Sequence, residues 1–121
     1  MAPTVTIGPQ QTRPQPGDAG DSSDSAGAEP RRLELQRYAA IARALSDPKR
    51  LCVLEQLSRG ELSVSDLSRN VGCHVPNMSQ HLAILRSAGL VVARREGNTV
   101  YYRLADPRVL EAYRLIKEVA R

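Results

Sequence analysis

A short turn between two helical patterns constrains the fold of this chain more than any other feature of its sequence. The residues from Ser63 to Gly72 have the length and the end residues of a short helix, and a second helical pattern runs from His74 to Gly89. Only the turn Gly72–Cys73–His74 separates the two patterns. Two short helices joined by a glycine-containing turn are typical of a helix-turn-helix, which the sequence therefore predicts here.

The second of these helices has two different sides. Met78, Leu82 and Leu85 recur at spacings of four and three residues, as a side packed into a domain requires. The helix also carries polar side chains from its first turn onward, namely His74, Asn77, Ser79, Gln80 and His81. In a helix-turn-helix the second helix packs one side into the domain while its N-terminal turns face a DNA groove. The polar groups are therefore predicted to hydrogen-bond base edges or phosphates.

A basic β-hairpin is predicted directly after this helix. Residues 90–105 contain two runs rich in Val, Tyr and Thr on either side of Glu96-Gly97-Asn98. An ordinary amphipathic surface helix would also have a polar face, but a helix-turn-helix followed by a basic hairpin is a much rarer combination. The arginines and the asparagine are predicted at the hairpin tip, where a wing reaches the DNA backbone or the minor groove. The predicted DNA contacts in the hairpin and at the end of the preceding helix are Arg86, Arg94, Arg95 and Asn98.

Two helices are predicted before the helix-turn-helix. The first covers residues 31–46 and carries an apolar stripe of Leu35, Tyr38, Ala42 and Leu45. The second covers residues 46–60, with Ser46 or Asp47 as its N-cap and Pro48 in its first turn. Its predicted core positions are Leu51, Leu54 and Leu57.

A last helix over residues 106–121 completes the predicted order α-α-α-α-β-β-α. Asp106 and Pro107 begin it, and its apolar stripe consists of Val109, Tyr113, Ile116 and Val119 or Ala120. This order is that of a winged helix-turn-helix, a mainly α-helical fold with a small β-hairpin. We assign it to residues 30–121.

Residues 1–29 are predicted to form a disordered N-terminal tail. They hold four of the eight prolines and few large apolar side chains, so they cannot bury enough surface to offset the entropy of ordering. They also lack the basic start, apolar run and cleavage site of a secretory signal. No stretch of about 18 apolar residues occurs anywhere in the chain. A cytoplasmic protein without a membrane segment is therefore expected.

Charge is distributed unevenly between these two parts. The tail has a net charge of −3. Residues 30–121 hold 16 basic and 9 acidic side chains and have a net charge of +7, which gives +4 for the whole chain. A small, strongly basic domain usually binds a polyanion, although it can also simply have a soluble surface. Double-stranded DNA is the partner that the helix-turn-helix favours.

Three stretches together resemble one known family. ALSDPKRLCVLEQL, GELSVSDLS and NMSQHLAILRSAGLVVARREGNTVYYRL are similar to the ArsR/SmtB winged-helix repressors, and the likeness runs from Tyr38 to Leu115 without a gap. The family consists of bacterial homodimeric transcription factors whose apo dimer binds an imperfect inverted-repeat operator and releases it on meeting an inducer. The resemblance implies a dimer interface on helices 1 and 5 and base contacts by Ser79 and Gln80. Val75 and Pro76 stand where the family often has polar residues, and Val75 could contact a thymine methyl group.

The metal sites of that family are not retained. Many relatives bind metal through two cysteines of an E-L-C-V-C-D-L motif, where this chain has Ser63 and Ser65. Serine hydroxyls are poor ligands for soft metal ions. A second family site uses carboxylates and histidines on the last helix; Asp106 is present, but Arg108 and Val119 occupy the aligned histidine positions. We therefore predict no metal at either site and no cofactor requirement for DNA binding.

Cys52 and Cys73 are the sensor candidates that remain, and they are too few for a disulfide framework. His74 and His81 are about two helical turns, roughly 10.5 Å, apart and cannot share one ion. Buried cysteine often serves only as a small hydrophobic side chain, yet the neighbouring Arg50 could favour a Cys52 thiolate. Three hypotheses stay open: the inducer is a soft metal or metalloid, it is an oxidant or sulfur species, or no thiol-dependent inducer exists.

Other classes of function fit the sequence less well. The chain has no G-x-S-x-G, H-E-x-x-H or glycine-rich phosphate loop, so we do not expect an enzyme. A winged helix can also act as a protein-interaction module, but Arg94 and Arg95 argue against a neutral, apolar wing. A DNA-binding repressor, induced or not, is the prediction.

Overall fold

The computed structural model describes the backbone of residues 25–121 and the side chains from residue 28 onward. The predicted disordered tail lies mostly outside the described residues. The whole helix-turn-helix and the hairpin belong to one compact unit, Gln36–Arg121. The helices are α1 (Ser25–Ala44), α2 (Pro48–Leu57), α3 (Val64–Val71), α4 (Val75–Ser87) and α5 (Pro107–Ala120). The strands are β1 (Leu62–Ser63), β2 (Val91–Glu96) and β3 (Thr99–Leu104).

The predicted order of elements is confirmed, with one strand added. In the three-stranded antiparallel sheet β3 lies between β1 and β2. Leu62 and Ser63 of β1 pair with Tyr102 and Tyr101. A two-residue strand is too short for alternation of apolar and polar residues to reveal it, so the sequence could not predict β1.

Helix α1 differs from its prediction in two respects. It begins at Ser25, so residues 25–29, which were assigned to the tail, are helical. Alanine and glutamate in this stretch favour helix, a local preference that the average composition of the tail hides. Of the predicted stripe, Leu45 packs against the core, but Leu35 and Tyr38 are 50% and 57% exposed. Ala44 is the residue of α1 that is buried completely.

The core lies between α2, α3, α4 and the hairpin. Leu51, which was predicted in the core stripe of α2, is only half-buried, and Val53 is buried in its place. Cys52, which lies between these two residues in sequence, is half-buried. The buried apolar side chains are Ala44, Val53, Leu54, Leu57, Leu67, Met78, Leu82, Leu85, Leu90 and Val91.

Side chains cap three of the helices as the sequence predicts. Asp47 accepts hydrogen bonds from the backbone N–H groups of Lys49 and Arg50 at the start of α2. Asp106 accepts one from the N–H of Arg108 at the start of α5. Each cap satisfies backbone donors that the first helical turn leaves unpaired.

Ser63 caps α3 through one half of the predicted capping box. Its Oγ accepts a hydrogen bond from the N–H of Asp66 at 3.0 Å. The carboxylate of Asp66 pairs with Arg69 at 2.5 Å. The serine thus supplies the cap on its own, while the acidic residue stabilises the helix through an i,i+3 ion pair.

Glycine makes the turn between α3 and α4 possible. Gly72 has φ 83°, the left-handed conformation that ends a helix and that residues with a side chain adopt rarely. The N–H groups of Gly72 and Cys73 both donate to the carbonyl of Ser68, at 2.9 and 3.0 Å. These bonds close α3 and direct the chain into α4 within three residues. Among the described residues, no helix has the length and apolarity needed to cross a membrane.

Candidate nucleic-acid interface

Helix α4 is held by one side and open on the other. Met78, Leu82 and Leu85 are completely buried, which anchors the helix against α2, α3 and the hairpin. Asn77, Ser79 and Gln80 lie outside this buried stripe and are exposed. The structure thus leaves three of the predicted DNA contacts accessible in the N-terminal half of α4, with Asn77 and Ser79 about 200° apart around the helix axis. Their roles toward bases stay a prediction.

The N-terminus of α4 is open to an anion. His74 is its N-cap residue but makes no side-chain capping hydrogen bond, so the first N–H groups of the helix point outward without that partner. Such groups, together with the positive end of the helix dipole, attract phosphate. Lys49 lies at the same place, since its Nζ donates to the carbonyl of Gly72 at 3.3 Å. Val75, in the first turn, is 46% exposed.

Sequence patterns missed two basic residues at this end. Lys49 and Arg69 line a shallow depression of about 430 Å³ together with Cys73, His74 and Asn77. Lys49 comes from α2 and Arg69 from α3, so only the packing of three helices brings them to the start of α4. Counting basic residues gives their charge but not their common location. Cations at a helix N-terminus extend the region suited to a DNA phosphate.

His81 differs from the other predicted contacts because it is half-buried and already paired. Its Nδ1 lies 3.2 Å from Nη1 of Arg50. The same guanidinium donates to the carbonyls of Ala44 at 2.8 Å and Arg43 at 3.2 Å. Arg50 therefore ties the end of α1 to the middle of α4, and His81 holds α4 in place from its side.

Asp47 completes this cluster at the start of α2. Burial alone would raise the pKa of its carboxyl group, but the backbone N–H groups of Lys49 and Arg50 and the charges of His81 and Arg50 bring the pKa below its ordinary value. The carboxylate is therefore ionised at neutral pH. It stabilises the basic cluster and keeps the N-terminus of α2 formed.

The three predicted residues of the hairpin have different surroundings. Asn98 follows Gly97 in the two-residue turn between β2 and β3, where Gly97 has φ 63°. Arg95 pairs across the sheet with Val100, close to this turn, and is exposed. Arg94 was predicted at the tip but lies within β2, paired with Tyr101 and bound to two carboxylates. The prediction of one basic tip is therefore wrong for Arg94.

Arg86 lies apart from the other predicted contacts. It is exposed in the last turn of α4, nine residues beyond Asn77, which corresponds to about 13 Å along the helix. The structure thus does not bring Arg86 to the N-terminal surface of α4. Its position suits a phosphate farther along a duplex rather than the bases that face Asn77 and Gln80.

Cys52 faces the junction of α2 with α5. It is half-buried and lies on α2, the helix that packs against α5. Burial first, and then the charge and hydrogen bond of Glu55, raise the pKa of Tyr113. Lys117 pairs with Glu55 at 3.6 Å. Because Arg50 is bound to backbone carbonyls elsewhere, the expected influence of its guanidinium on Cys52 has no support in the structure.

Cys73 lies in the turn that precedes α4. It is half-buried and packs against the core. It also borders the depression at the start of α4, next to Lys49 and Asn77. The two cysteines thus occupy different functional parts of the domain, one beside α5 and the other beside the helix predicted to read DNA.

The residues at the positions of the family's metal ligands have other structural surroundings here. Ser63 caps α3, Arg108 forms an ion pair with Asp106 at 2.6 Å, and Val119 is 87% exposed. Ser65 is exposed on α3. Within residues 25–121 as the structure describes them, no three His, Cys, Asp or Glu side chains are grouped closely enough to hold a metal ion.

The geometry defines a class of protein. A short helix, a tight glycine turn, a second helix anchored from one side and an antiparallel hairpin behind it form a winged helix-turn-helix. A family model described as "Bacterial regulatory protein, arsR family" matches residues 47–92. The described portion contains the complete motif that this model covers.

Known proteins agree with this match. The HTH-type transcriptional regulator Rv0324 of Mycobacterium tuberculosis is 37% identical over 86 residues, which are 71% of this chain and 38% of that protein. The transcriptional repressor SmtB homolog of Synechocystis sp. is 41% identical over 85 residues, 70% of this chain and 64% of that protein. The names of these relatives place them among transcriptional regulators, a class of DNA-binding proteins and not of enzymes.

A solved structure extends the agreement to the fold. The homodimeric winged helix-turn-helix DNA-binding domain Mb0332 of Mycobacterium bovis superposes with a TM-score of 0.69 at 36% identity, covering 74% of this chain and 82% of that one. The chain belongs to the ArsR family. It spans 38%, 53% and 64% of the lengths of three relatives: Rv0324, the Mycobacterium tuberculosis regulator KmtR and the SmtB homolog.

Proposed function

We propose that this protein is a homodimeric transcriptional repressor that binds an imperfect inverted-repeat operator in double-stranded DNA and releases it when an inducer binds. The observation that carries the proposal is the two-sided packing of α4. Three buried side chains fix the helix, and Asn77, Ser79 and Gln80 remain accessible on its other side. A surface of short hydrogen-bonding side chains on a rigid helix suits the major groove.

Phosphate binding is the second part of the proposed interface. Lys49 and the open N-terminus of α4 form one basic end, next to Arg69 with its partner Asp66, and Arg95 and Asn98 extend from the hairpin. The charge of +7 on residues 30–121 supports such contacts. Each neutralised phosphate releases counterions, so binding should weaken strongly as salt rises from about 50 to 500 mM.

A second copy of the chain is the proposed partner of the uncovered apolar side chains. Helix α5 exposes Leu115 by 57%, Ile116 by 42% and Val119 by 87%. Helix α1 exposes Leu35 by 50% and Tyr38 by 57%. Helices with such faces are covered by another helix in stable proteins. Dimerisation through α1 and α5 would account for both surfaces and would present two copies of α4 to a duplex about one turn, roughly 34 Å, apart.

Selection from random DNA tests this function. Purified protein is incubated with a pool of random duplexes, and the bound fraction is sequenced over several rounds. We expect an inverted repeat with half-sites about one helical turn apart to be enriched, and we expect the variant Gln80→Ala to enrich it less strictly. A pool that stays random after repeated selection would contradict the proposal.

We propose a thiol-reactive species as the inducer and Cys52 as the first residue it meets. Support comes from the half-buried position of Cys52 on α2, the helix that packs against α5. An adduct on the sulfur would enlarge a half-buried side chain at the junction with a helix proposed to form the dimer interface, and overpacking of this kind displaces neighbours. Cys73, next to the start of α4, is the second candidate.

Operator binding in the presence of thiol reagents separates the possible inducers. The selected duplex is titrated with reduced protein, with diamide-treated protein, and with Zn²⁺, Cd²⁺ or arsenite. The variants Cys52→Ser, Cys73→Ser and the double variant are measured in parallel. Release by diamide but not by metals supports an oxidant or sulfur species, whereas release by arsenite or Cd²⁺ supports a soft ion. A double variant that responds like the wild type would exclude both thiol-based inducers.

A further inference from the structure

Two adjacent arginines of the hairpin differ in whether their charge is paired with carboxylates. The Nε and Nη2 of Arg94 donate to the two carboxylate oxygens of Glu61 at 3.1 and 2.7 Å. Its Nη1 donates to Glu96 at 2.8 Å. The guanidinium also stacks on the ring of Tyr101, 4.8 Å from its centre. One positive charge thus lies between two negative charges and against an aromatic ring.

Arg95 has the opposite situation. Consecutive residues of a strand point to opposite faces of a sheet, so its side chain leaves the hairpin on the face away from Glu61 and Glu96. It forms no ion pair and no side-chain hydrogen bond with any other residue in the part of the chain that the structure describes. It is also exposed. The charge of Arg95 is therefore unpaired among the described residues, whereas that of Arg94 is paired with two carboxylates.

Glu61 links the hairpin to a different part of the fold. It lies between α2 and β1, outside the hairpin, and 33 residues from Arg94 in sequence. The two hydrogen bonds from Arg94 lower the pKa of Glu61, burial has a weaker opposing effect, and the charges of Arg94 and Arg103 add to the lowering. The pair therefore stays ionised at neutral pH. A bidentate arginine–carboxylate pair also fixes direction, so it orients the hairpin relative to the start of the helix-turn-helix.

We propose that Arg94 is a positioning residue that fixes the angle of the wing and that Arg95 is the cation with which the wing contacts DNA. In this arrangement Glu61 masks the charge of Arg94. The mask limits the affinity of the wing for duplexes of any sequence. This inference rests on the proposed function. The mask raises specificity because the affinity for unspecific DNA depends almost entirely on free positive charge. Without Glu61, Arg94 would keep only its ion pair with Glu96, and its Nε and Nη2 would become available to a phosphate.

The dependence of DNA binding on salt distinguishes the two arginines. Dissociation constants for a random duplex and for the selected inverted repeat are measured by fluorescence anisotropy between about 50 and 200 mM NaCl. One phosphate contact contributes a slope of about 0.9 in log K against log [salt], which is about a 3.5-fold change over this range. As the salt concentration rises across this range, the affinity of Arg95→Ala should fall by a factor about 3.5 times smaller than the factor by which the wild-type affinity falls. Arg94→Ala should keep the wild-type slope.

Removal of the mask is the complementary measurement. Glu61→Gln keeps the size of the side chain but removes its charge. Arg94 then keeps only its bond to Glu96, so the slope for the random duplex should steepen, by at most about 0.9. Glu111→Gln, an exposed residue of α5, is the matched control for net charge and should leave the slope unchanged. In the double variant Glu61→Gln/Arg94→Ala the slope should return to that of the wild type. Thermal unfolding of each variant shows that the fold is retained.

Three results would overturn the inference. The first is a loss of slope in Arg94→Ala as large as in Arg95→Ala, because Arg94 would then contact a phosphate itself. The second is a steeper slope that persists in the double variant, because Glu61 would then act only through its own charge. The third is a Glu61→Gln variant with the wild-type slope. A wild-type protein that binds no duplex at all would instead contradict the proposed repressor function, so the two failures are distinguishable.

Discussion

Met78 and Gln80 lie two residues apart on α4 and have opposite surroundings. The side chain of Met78 is completely buried, while Gln80 is exposed on the side where DNA is proposed to bind. The periodicity of apolar residues was enough to separate these two roles in advance, because a helix places residues i, i+4 and i+7 on the same side. Stability and recognition therefore depend on different residues of one helix.

Substitution by alanine should separate these two properties. We expect Met78→Ala to lower the free energy of unfolding by roughly 2–5 kcal/mol, because it leaves a cavity in the core. Gln80→Ala should change it by less than about 0.5 kcal/mol and should lose about 1–3 kcal/mol of discrimination between the operator and a duplex with one changed base pair. Urea denaturation and competition binding measure the two effects. Equal losses of stability in both variants would contradict the two-sided packing of α4.

Asp106 gives a pH-dependent prediction at the same scale. Hydrogen bonds from the side chain of Arg108, and then from its backbone N–H, hold the pKa of Asp106 at about 2, well below its ordinary value of 3.8. Because the pKa of the folded protein is lowered, the cap stabilises α5 fully above about pH 4 and is lost as the pH falls through about 2. An NMR titration of the Asp106 carboxyl carbon checks the value. In Arg108→Ala the pKa should move back toward 3.8, and an unchanged pKa would show that the ion pair has no part in it.

At the scale of elements, end residues and apolar repeats predicted the five helices and the hairpin. Asp47, Asp106 and Gly72 act at helix ends as their residue types indicate. The sequence failed where the outcome depends on the tertiary structure. Strand β1 exists only because Leu62 and Ser63 meet β3, and the guanidinium of Arg94 is paired because Glu61 comes near it from another part of the chain.

The cap of α3 can be tested with a matched pair of serines. Ser63→Ala removes the oxygen that accepts the N–H of Asp66, and we expect it to lower the free energy of unfolding by about 1 kcal/mol. Ser65→Ala, on the exposed side of the same helix, should change it by less than about 0.5 kcal/mol. Chemical denaturation followed by circular dichroism measures both. A Ser63→Ala variant as stable as the wild type would show that the cap contributes nothing to the stability of α3.

At the scale of the whole molecule, the apolar side chains that the single chain leaves exposed were predicted only in part. Periodicity placed Tyr38 and Ile116 on apolar stripes, but it cannot tell a stripe that packs inside one chain from a stripe that packs on another chain. In the structure Leu45 of the first stripe and Val109 of the second pack against the core, whereas Tyr38 and Ile116 stay exposed. The proposed dimer is therefore the arrangement that would cover them.

A charged residue on α5 should weaken that dimer. We expect Ile116→Glu to shift the protein toward monomer at concentrations where the wild type is dimeric, and to weaken operator binding at least tenfold, because burying an unpaired carboxylate is strongly unfavourable. Glu118→Ala, two residues along and about 200° around the helix, is the control and should stay dimeric. Sedimentation velocity gives the oligomeric state. A dimeric Ile116→Glu variant would move the interface away from this face of α5.

The phase of the operator tests most directly the claim that two copies of α4 read DNA as a symmetric pair. The wild-type protein is titrated against the selected inverted repeat and against the same half-sites moved apart by about five base pairs, which rotates them to opposite sides of the duplex. We predict that two chains bind the original repeat and that affinity falls at least tenfold for the shifted one. Equal affinity for the original repeat, the shifted repeat and a random duplex would contradict the account.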